Sequence, residues 1–379
     1  MRVLMVSKAC LVGAYQSKLE LIGAFDDVEL TVIVPQVWQD SSGPVELERT
    51  QAENYEMLVD PIRFNGHFHR YYFPKLKQRL REIKPDILHM DEEPYNLATW
   101  LGIRQARKMR VKSLFFSWQN ISRPYPPPFS IMERQVLRWS DYGVMGNAAA
   151  VGVWQGKGYT GPYAIIPQFG VDPALFRPNP DQSNHEKPFT IGVAGRRLVR
   201  EKGIDLVLQA AAQLEGNWQV RIAGEGPIRP KLESLAVDLG IADRVHFTGA
   251  LPSTEVFTFL NKLDVLVLPS RTMPNWKEQF GRVLIEAMAC EVPVIGSDSG
   301  EIPNVIGDAG LVFREDNVAD LFVHLNMLMT DPDARAQFGT LGRRRVLDNY
   351  TQAQIAAQTV AVYREMIGQS PTMQQEPKA

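Results

Sequence analysis

Glu278-Gln279-Phe280-Gly281-Arg282-Val283-Leu284-Ile285-Glu286-Ala287-Met288-Ala289-Cys290 lies between two apolar runs of strand type, at 264–269 and 293–297. Its own apolar spacing predicts a helix over 281–291, so the local order is strand, loop, helix, strand. Glu286 is the only charge between Val283 and Cys290. A glutamate is almost never fully buried without a partner, so this one is expected to face a cleft or a polar group. Gly281 precedes the helix, and a glycine there lets a ligand approach the backbone closely. A helix N-terminus offers unbonded N–H groups and a positive dipole end, which suits a phosphate. Glu278 sits just outside that end, where its carboxylate can accept hydrogen bonds from sugar hydroxyls. The plainer alternative is a capped helix with one solvent-facing glutamate.

The same alternation runs outward in both directions. Strand patterns occur at 2–7, 29–35, 84–90, 111–117 and 142–145, with a helical stretch over 16–25. A break at 173–188, rich in Pro, Asn and charge, reads as an interdomain linker. Beyond it, strands are expected at 190–194, 218–223, 245–248, 264–269, 293–297 and 311–313. Helices are expected at 204–214, 228–239, 254–262 and 281–291. A last helix is expected over 351–368, and 369–379 has the composition of a frayed tail. The chain therefore reads as α/β, with a first domain over 1–172, the linker 173–188 and a second domain over 189–350. Alternating strands and helices imply doubly wound parallel sheets, whose ligands bind at the carboxyl ends of the strands.

Composition agrees. At roughly 100–200 residues per domain, 379 residues suggest two or three domains. Hydrophobic residues make up 45% and charged residues 22%, the proportions of a globular protein. Lys plus Arg is 41 against 43 Asp plus Glu, and a net charge of −2 argues against a nucleic-acid partner. Cys10 and Cys290 are the only cysteines, too few for a disulfide framework or a paired-cysteine zinc site, and they fit a reducing cytoplasm. No run approaches the roughly 18 apolar residues of a membrane span. Met1–Lys8 is too short an apolar run for a signal peptide and lacks a cleavage region.

Further constellations follow expected strands. Gly195-Arg196-Arg197-Leu198-Val199-Arg200-Glu201-Lys202-Gly203 places three Arg and one Lys within seven residues before a helix. Arg grips phosphate oxygens bidentately and Lys acts as a point charge, although a solvated basic loop has the same composition. Ala223-Gly224-Glu225-Gly226-Pro227 resembles a glycine-rich turn beside a nucleotide, a weak signal alone. In the first domain, Val12-Gly13-Ala14-Tyr15-Gln16 and Trp118-Gln119-Asn120-Ile121-Ser122-Arg123 follow strands, and His89 ends an apolar run. Surface turns and a packed histidine are the plain alternatives. Residues 60–138 hold 15 Lys or Arg against 7 Asp or Glu. Within 71–84, Leu76, Leu80 and Ile83 recur at helical spacing among Lys75, Lys77, Arg79, Arg81 and Lys84. Such a helix either packs its apolar face on the sheet or attaches to an anionic membrane surface. The HExxH, DxD-type, Walker A and GxSxG patterns are absent in a convincing context, and so is GxGxxG after either domain's first strand.

Taken together, these residues resemble the family-four retaining glycosyltransferases. Glu278 and Glu286 match that family's E-x7-E motif, and Pro293-Val294-Ile295-Gly296 matches in type. Pro167-Gln168-Phe169-Gly170-Val171-Asp172 with Phe176-Arg177-Pro178 resembles its domain-junction segment, and Arg197-Leu198 through Glu201-Lys202-Gly203 its "GRL…EKG" signature. The resemblance implies the GT-B fold, two Rossmann-like domains facing each other across a cleft, with the 351–368 helix crossing back to the first domain. It implies a candidate catalytic set of Glu278, Arg196 and Lys202. Glu278 would contact the transferred sugar, and Lys202 with Arg196 or Arg197 would hold the donor diphosphate. Donor contacts would come from Gly13, Arg197, Gly224, Glu225, Gln279, Phe280, Gly281 and Glu286, the last on the ribose. Tyr15, Gln16, His89, Gln119, Asn120 and Arg123 would stand on the acceptor side. An extra residue in Gly195-Arg196-Arg197-Leu198 leaves the phosphate ligand open between two arginines. Many relatives carry a His where this chain has Trp118-Gln119-Asn120.

The implied reaction moves a sugar from a nucleotide-diphosphate-sugar to a hydroxyl of a glycan or lipid-linked acceptor, with retention. It needs no metal and no cofactor, because Arg, Lys and a helix N-terminus can stabilise the departing diphosphate. The implied place is the cytoplasm, with peripheral attachment to the inner face of a membrane through 71–84. A sugar-nucleotide epimerase of the same fold and a non-catalytic nucleotide-sugar binding protein are the alternatives.

Overall fold

The computed structural model describes residues 1–40, 43–50, 52–179 and 188–369, and the side chains of Arg196 and Ser253 fall outside that description. Residues 180–187 of the expected linker and 370–379 of the expected tail also lie outside it. Two compact units emerge from the chain's own contacts: Met1–Gly170 with the segment from Gln352 onward, and Val171–Thr351.

In the first unit the elements are β1 (Arg2–Val6), α1 (Ser17–Gly23), β2 (Glu29–Val34), β3 (Val37–Asp40), β4 (Gly43–Glu46), β5 (Glu56–Val59), α2 (Leu76–Ile83) and β6 (Ile87–Met90). They continue with α3 (Leu97–Met109), β7 (Lys112–Ser117), α4 (Phe129–Trp139), β8 (Tyr142–Met145), α5 (Ala148–Gly156) and β9 (Tyr163–Ile165). Seven strands form a parallel sheet in the order β5-β2-β1-β6-β7-β8-β9, and β3 and β4 pair separately as an antiparallel ribbon. Strand periodicity sorts the core into two layers. Val3 and Met5 join the cluster under α1, whereas Leu4 and Val6 join the cluster with Leu76, Leu80 and Ile103 on the other face. Strands β5 and β9 are short edge strands whose half-exposed sequences lack the apolar density that reveals the inner ones.

The second unit holds β10 (Phe189–Arg197), α6 (Ile204–Ala211), β11 (Trp218–Glu225), α7 (Arg229–Asp238), β12 (Val245–Gly249), α8 (Ser253–Leu260) and β13 (Val265–Leu268). It ends with α9 (Arg282–Ala289), β14 (Val294–Ser297), α10 (Ile302–Ile306), β15 (Leu311–Phe313), α11 (Val318–Thr330) and α12 (Pro332–Asn349). Its sheet is parallel in the order β12-β11-β10-β13-β14-β15. Strand β10 runs three residues past its expected end because Arg197 still pairs with Glu225 across an irregularity after Ala194.

The last helix, α13 (Gln352–Met366), belongs to the first unit. Ile355, Ala356, Val360, Val362 and Tyr363 share the core cluster of Val3 and Met5. Arg364 clamps Asp27 with two hydrogen bonds, 2.8 and 3.0 Å. Tyr142 donates its hydroxyl to Glu365 at 3.0 Å. Among the described residues, no helix is long and apolar enough to cross a membrane.

Candidate active site

In each sheet the strand order reverses beside the first strand, and that is where a doubly wound fold opens its ligand crevice. In the second unit this point lies between β10 and β13. The chain leaving β10 makes one tight turn, Arg200–Lys202, and reaches Gly203 at φ +63°. A Cβ on Gly203 would lie 2.0 Å from the Pro269 carbonyl oxygen, so only glycine lets this turn press against the end of β13. The approach carries Lys202 to Glu278: Nζ donates to Oε2 at 2.7 Å. Ser270 donates its hydroxyl to the same oxygen at 2.9 Å. The Lys202 ammonium also sits 4.9 Å from the Trp276 ring centroid.

Glu278 is held from its backbone as well. Its carbonyl accepts the Glu301 N–H at 3.2 Å, and a Cβ on Gly300 would come within 2.0 Å of that oxygen. Gly281, at φ +78°, starts α9, and a Cβ there would strike Leu268 at 2.7 Å. Phe280 is buried, with its ring edge-on to Tyr350 at 5.7 Å. Glu286 lies one turn into α9, and its partner is Arg282, whose Nε is 2.8 Å from Oε1. Burial pushes the Glu286 carboxyl above the usual range, and Arg282 opposes that shift. The expected polar partner is therefore on the same helix.

Other expectations for this unit resolve differently. A Cβ on Gly224 would meet the Gly195 carbonyl at 2.1 Å, and one on Gly226 the Leu198 carbonyl at 2.3 Å. These two glycines are required by close packing of backbone on backbone. Glu225 is exposed and ion-paired with Arg229 one turn along. Arg197 is exposed at the end of β10, and the Arg196 side chain is outside the described residues. Sequence reasoning missed Ser270 and Trp276, and also Arg271, which grips Asp205 with bonds of 2.6 and 2.8 Å and pairs with Asp316. That clamp fixes the loop following β13.

The first unit reverses strand order between β1 and β6. Here most candidate side chains are engaged internally. The Gly13 N–H donates to Glu48 Oε2 at 2.7 Å, and a Cβ on Gly13 would lie 2.4 Å from Thr50 Oγ1. Gln16 is fully buried; its amide nitrogen donates to the carbonyls of Cys10 and Glu48, and its oxygen accepts the Thr50 N–H. That is a structural use, so Gln16 is withdrawn from the acceptor set. His89 is withdrawn too. It is buried in β6 on the face covered by α13, with Nδ1 2.7 Å from the Tyr363 hydroxyl. Burial lowers its pKa to about 4, so it is neutral at pH 7. Tyr15 stacks on Phe169 at 3.8 Å between centroids. Gln119 donates to the Ile121 carbonyl at 3.0 Å and accepts from the Tyr125 hydroxyl at 3.3 Å. Asn120 is buried, and Arg123 is exposed with its carbonyl accepting from Lys157.

Helix α2 settles the packing of 71–84. Leu76 and Leu80 are in the core and Ile83 is half-buried, so the helix packs its apolar face on the sheet. Arg79 is bound bidentately by Asp60 at 2.8 and 3.0 Å, while Lys75, Lys77, Arg81 and Lys84 stay exposed.

The acids that do occupy the crevice end of the first sheet were not anticipated. Asp91, Glu92 and Glu93 follow β6 directly, and each binds a neighbouring strand end. Asp91 accepts the Ser7 hydroxyl at 2.7 Å, Glu92 pairs with Lys8, and Glu93 accepts the Ser117 hydroxyl at 2.6 Å and the Trp118 N–H at 2.8 Å. The sequence offered one signal, three consecutive acids after an apolar strand.

Comparisons with known proteins bear on both units. Residues 177–345 match the family model described as glycosyl transferases group 1. A GDP-mannose-dependent alpha-(1-6)-phosphatidylinositol monomannoside mannosyltransferase of Mycolicibacterium smegmatis is 33% identical over 205 residues, 50% of this chain and 54% of that protein. An MMP alpha-(1->4)-mannosyltransferase of Mycolicibacterium hassiacum is 32% identical over 208 residues, 54% of this chain and 48% of that protein. The chain thus spans about half the length of the curated relatives it matches. Among solved structures, sucrose-phosphate synthase from Thermosynechococcus elongatus superposes with TM-score 0.70 at 19% identity over 97% of this chain and 99% of that one. HepE of Anabaena in complex with UDP gives 0.74 at 15% identity over 96% and 100%. These likenesses extend along nearly the whole chain and show that both units share the two-domain GT-B fold.

Proposed function

We propose that this chain, whose second unit carries a glycosyl transferases group 1 domain, is a retaining, metal-independent glycosyltransferase. It moves a sugar from a nucleotide-diphosphate-sugar to a hydroxyl of a glycan or lipid-linked acceptor. One observation carries the reading: Lys202 and Glu278, 76 residues apart, meet at 2.7 Å at the carboxyl end of the central strands, beside the glycine that starts α9. As the sugar–phosphate bond breaks, positive charge develops on the sugar ring and negative charge on the leaving diphosphate. Lys202, with Arg196 or Arg197, neutralises the diphosphate, and the start of α9 supplies N–H donors. Glu278 then accepts from the sugar's hydroxyls, and Glu286 from the ribose. In the free protein the Lys202–Glu278 pair keeps both charges satisfied until a donor competes for them. Retention follows if the acceptor attacks from the face the diphosphate leaves, with a phosphate oxygen accepting its proton.

The relatives named above are transferases, and the epimerase alternative is not retained. A nucleotide-sugar sensor would use the same residues and differs only in turnover. The deciding experiment is a thermal-shift and turnover screen against GDP-, UDP- and ADP-sugars with EDTA present. GDP-mannose goes first, because the M. smegmatis relative is named for it. Stabilisation with release of the nucleoside diphosphate supports transfer, binding without turnover supports the sensor, and loss of turnover in EDTA overturns metal independence. The exposed Lys75, Lys77, Arg81 and Lys84 could hold the protein, in a cytoplasmic setting, against an anionic membrane surface. Replacing all four by Gln should then abolish sedimentation with phosphatidylserine vesicles, and an unchanged result would remove the membrane from the reading.

A further inference from the structure

Three consecutive acids at the end of β6 bind in two directions, and neutral donors hold the third. Asp91 and Glu92 hold Ser7 and Lys8 at the end of β1. Glu93 turns the other way, to the end of β7. Its donors, the Ser117 hydroxyl and the Trp118 N–H, are both neutral. The Ser117 hydroxyl is already saturated as an acceptor, taking the Trp154 indole N–H at 2.8 Å and the Gln119 N–H at 3.0 Å. A hydroxyl has one hydrogen to give and two lone pairs to receive with. Its hydrogen must therefore point at Glu93, and the Trp118 N–H points there as well. A carboxylate accepts at both oxygens and matches the two donors as they stand. A protonated carboxyl accepts more weakly at its O–H oxygen and must turn that O–H away from the donor it faces.

We propose that Glu93 is a positioning residue whose carboxylate holds the Ser117–Asn120 turn in the shape that takes the acceptor. The proposal rests on the glycosyl-transfer reading above, in which this turn stands on the acceptor side. Burial adds a second property. Residue 93 keeps some exposure overall, but its carboxyl end is enclosed, and burial pushes its pKa up to about 7 against the two hydrogen bonds that lower it. The titratable and charged groups around it are Glu92 and Tyr95 on its own segment, Lys8 beyond β1, and Tyr125 and Arg123 beyond β7. His69 packs against Tyr95 and Tyr125, but burial lowers its pKa, so its titration falls below the ordinary histidine range. Loss of the proton from Glu93 strengthens both hydrogen bonds to the turn, so acceptor use should rise through neutral pH.

The test compares wild type, Glu93→Gln and Ser117→Ala in three readouts. Acceptor kcat/KM should fall about 10²-fold in Glu93→Gln, because the amide NH2 faces a donor. It should fall less in Ser117→Ala, which loses one bond and leaves the other. Slow donor hydrolysis without acceptor should stay within about twofold in both variants, which also shows that they are folded. The wild-type profile of acceptor kcat/KM should carry an ascending limb near pH 7, and Glu93→Gln should be flat. Hydrogen exchange over 117–120 reads the turn without any reaction and should show faster exchange in Glu93→Gln. Wild-type acceptor kinetics in Glu93→Gln, an equal loss of donor hydrolysis, or an unchanged limb and unchanged exchange would overturn the proposal. No turnover by wild type with any nucleotide-sugar would instead overturn the transfer reading and the acceptor role with it.

Discussion

Both units place charged residues at the carboxyl ends of parallel strands, yet they use them in opposite ways. In the second unit, Lys202 and Glu278 are brought together by loops whose glycines, Gly203, Gly281 and Gly300, have backbones that no Cβ would tolerate. In the first unit, Asp91, Glu92, Glu93, Gln16 and His89 bind other parts of the same unit. One pair joins two loops at the end of the sheet, and under the proposed function it would exchange with a ligand; the other set ties strand ends together. Glu93 apart, whose proposed effect is on acceptor use, mutations in the two sets should therefore separate turnover from stability.

The sharpest contrast should come from Lys202→Ala. Loss of one donor to developing charge typically costs about 10²–10³ in rate. We expect that fall in kcat with little change in melting temperature; a wild-type rate would refute the phosphate role. In the first unit, His89 should act on stability instead. Its folded pKa is about 4 against an ordinary 6.5, so the unfolded chain binds more protons between those values. Stability is complete above pH 6.5 and is lost as pH falls toward 4, by an amount of about 3 kcal/mol for this group. Urea unfolding at pH 7 and 4.5 should show a shallower acid loss in His89→Gln, and an identical slope would contradict the assignment. A smaller effect is expected for Glu286→Ala, about a tenfold weaker nucleotide affinity by calorimetry. Unchanged affinity would take the ribose from Glu286. Smallest and of opposite sign is Gly152→Ala. A Cβ there meets nothing within 4 Å in the middle of α5, so the exchange should stabilise by about 0.5–1 kcal/mol. Gly281→Ala, with Leu268 2.7 Å away and φ +78°, should destabilise.

How much of this could be read from the sequence follows the same division. The inner strands announce themselves as dense apolar runs because both faces of a parallel sheet are covered. The meeting of the Gly195–Gly203 and Glu278–Gly281 stretches in the second unit was legible because its signals are local: a charge alone in an apolar helix, glycines at turns, basic residues clustered in seven positions. Glu225 with Arg229 and Glu286 with Arg282 show the limit of local reading, since a partner one helical turn away was not weighed. In the first unit the bonds that decide each role are remote. Ser7 and Asp91 are 84 residues apart, and His89 and Tyr363 are 274 apart. No spacing rule links such pairs. A sequence shows that Gln16 and His89 are polar near a strand end, but not that their polar atoms are already in use.

Helix α13 gives the chain a fixed order of completion. The second unit is finished at Thr351, whereas the first still lacks Ile355, Val360 and Tyr363 in its core until the following helix is made. On a ribosome adding about 5–20 residues per second, the later unit can close while the earlier one waits with an uncovered sheet face. The first unit's core is thus completed by a segment made after the whole of the second unit.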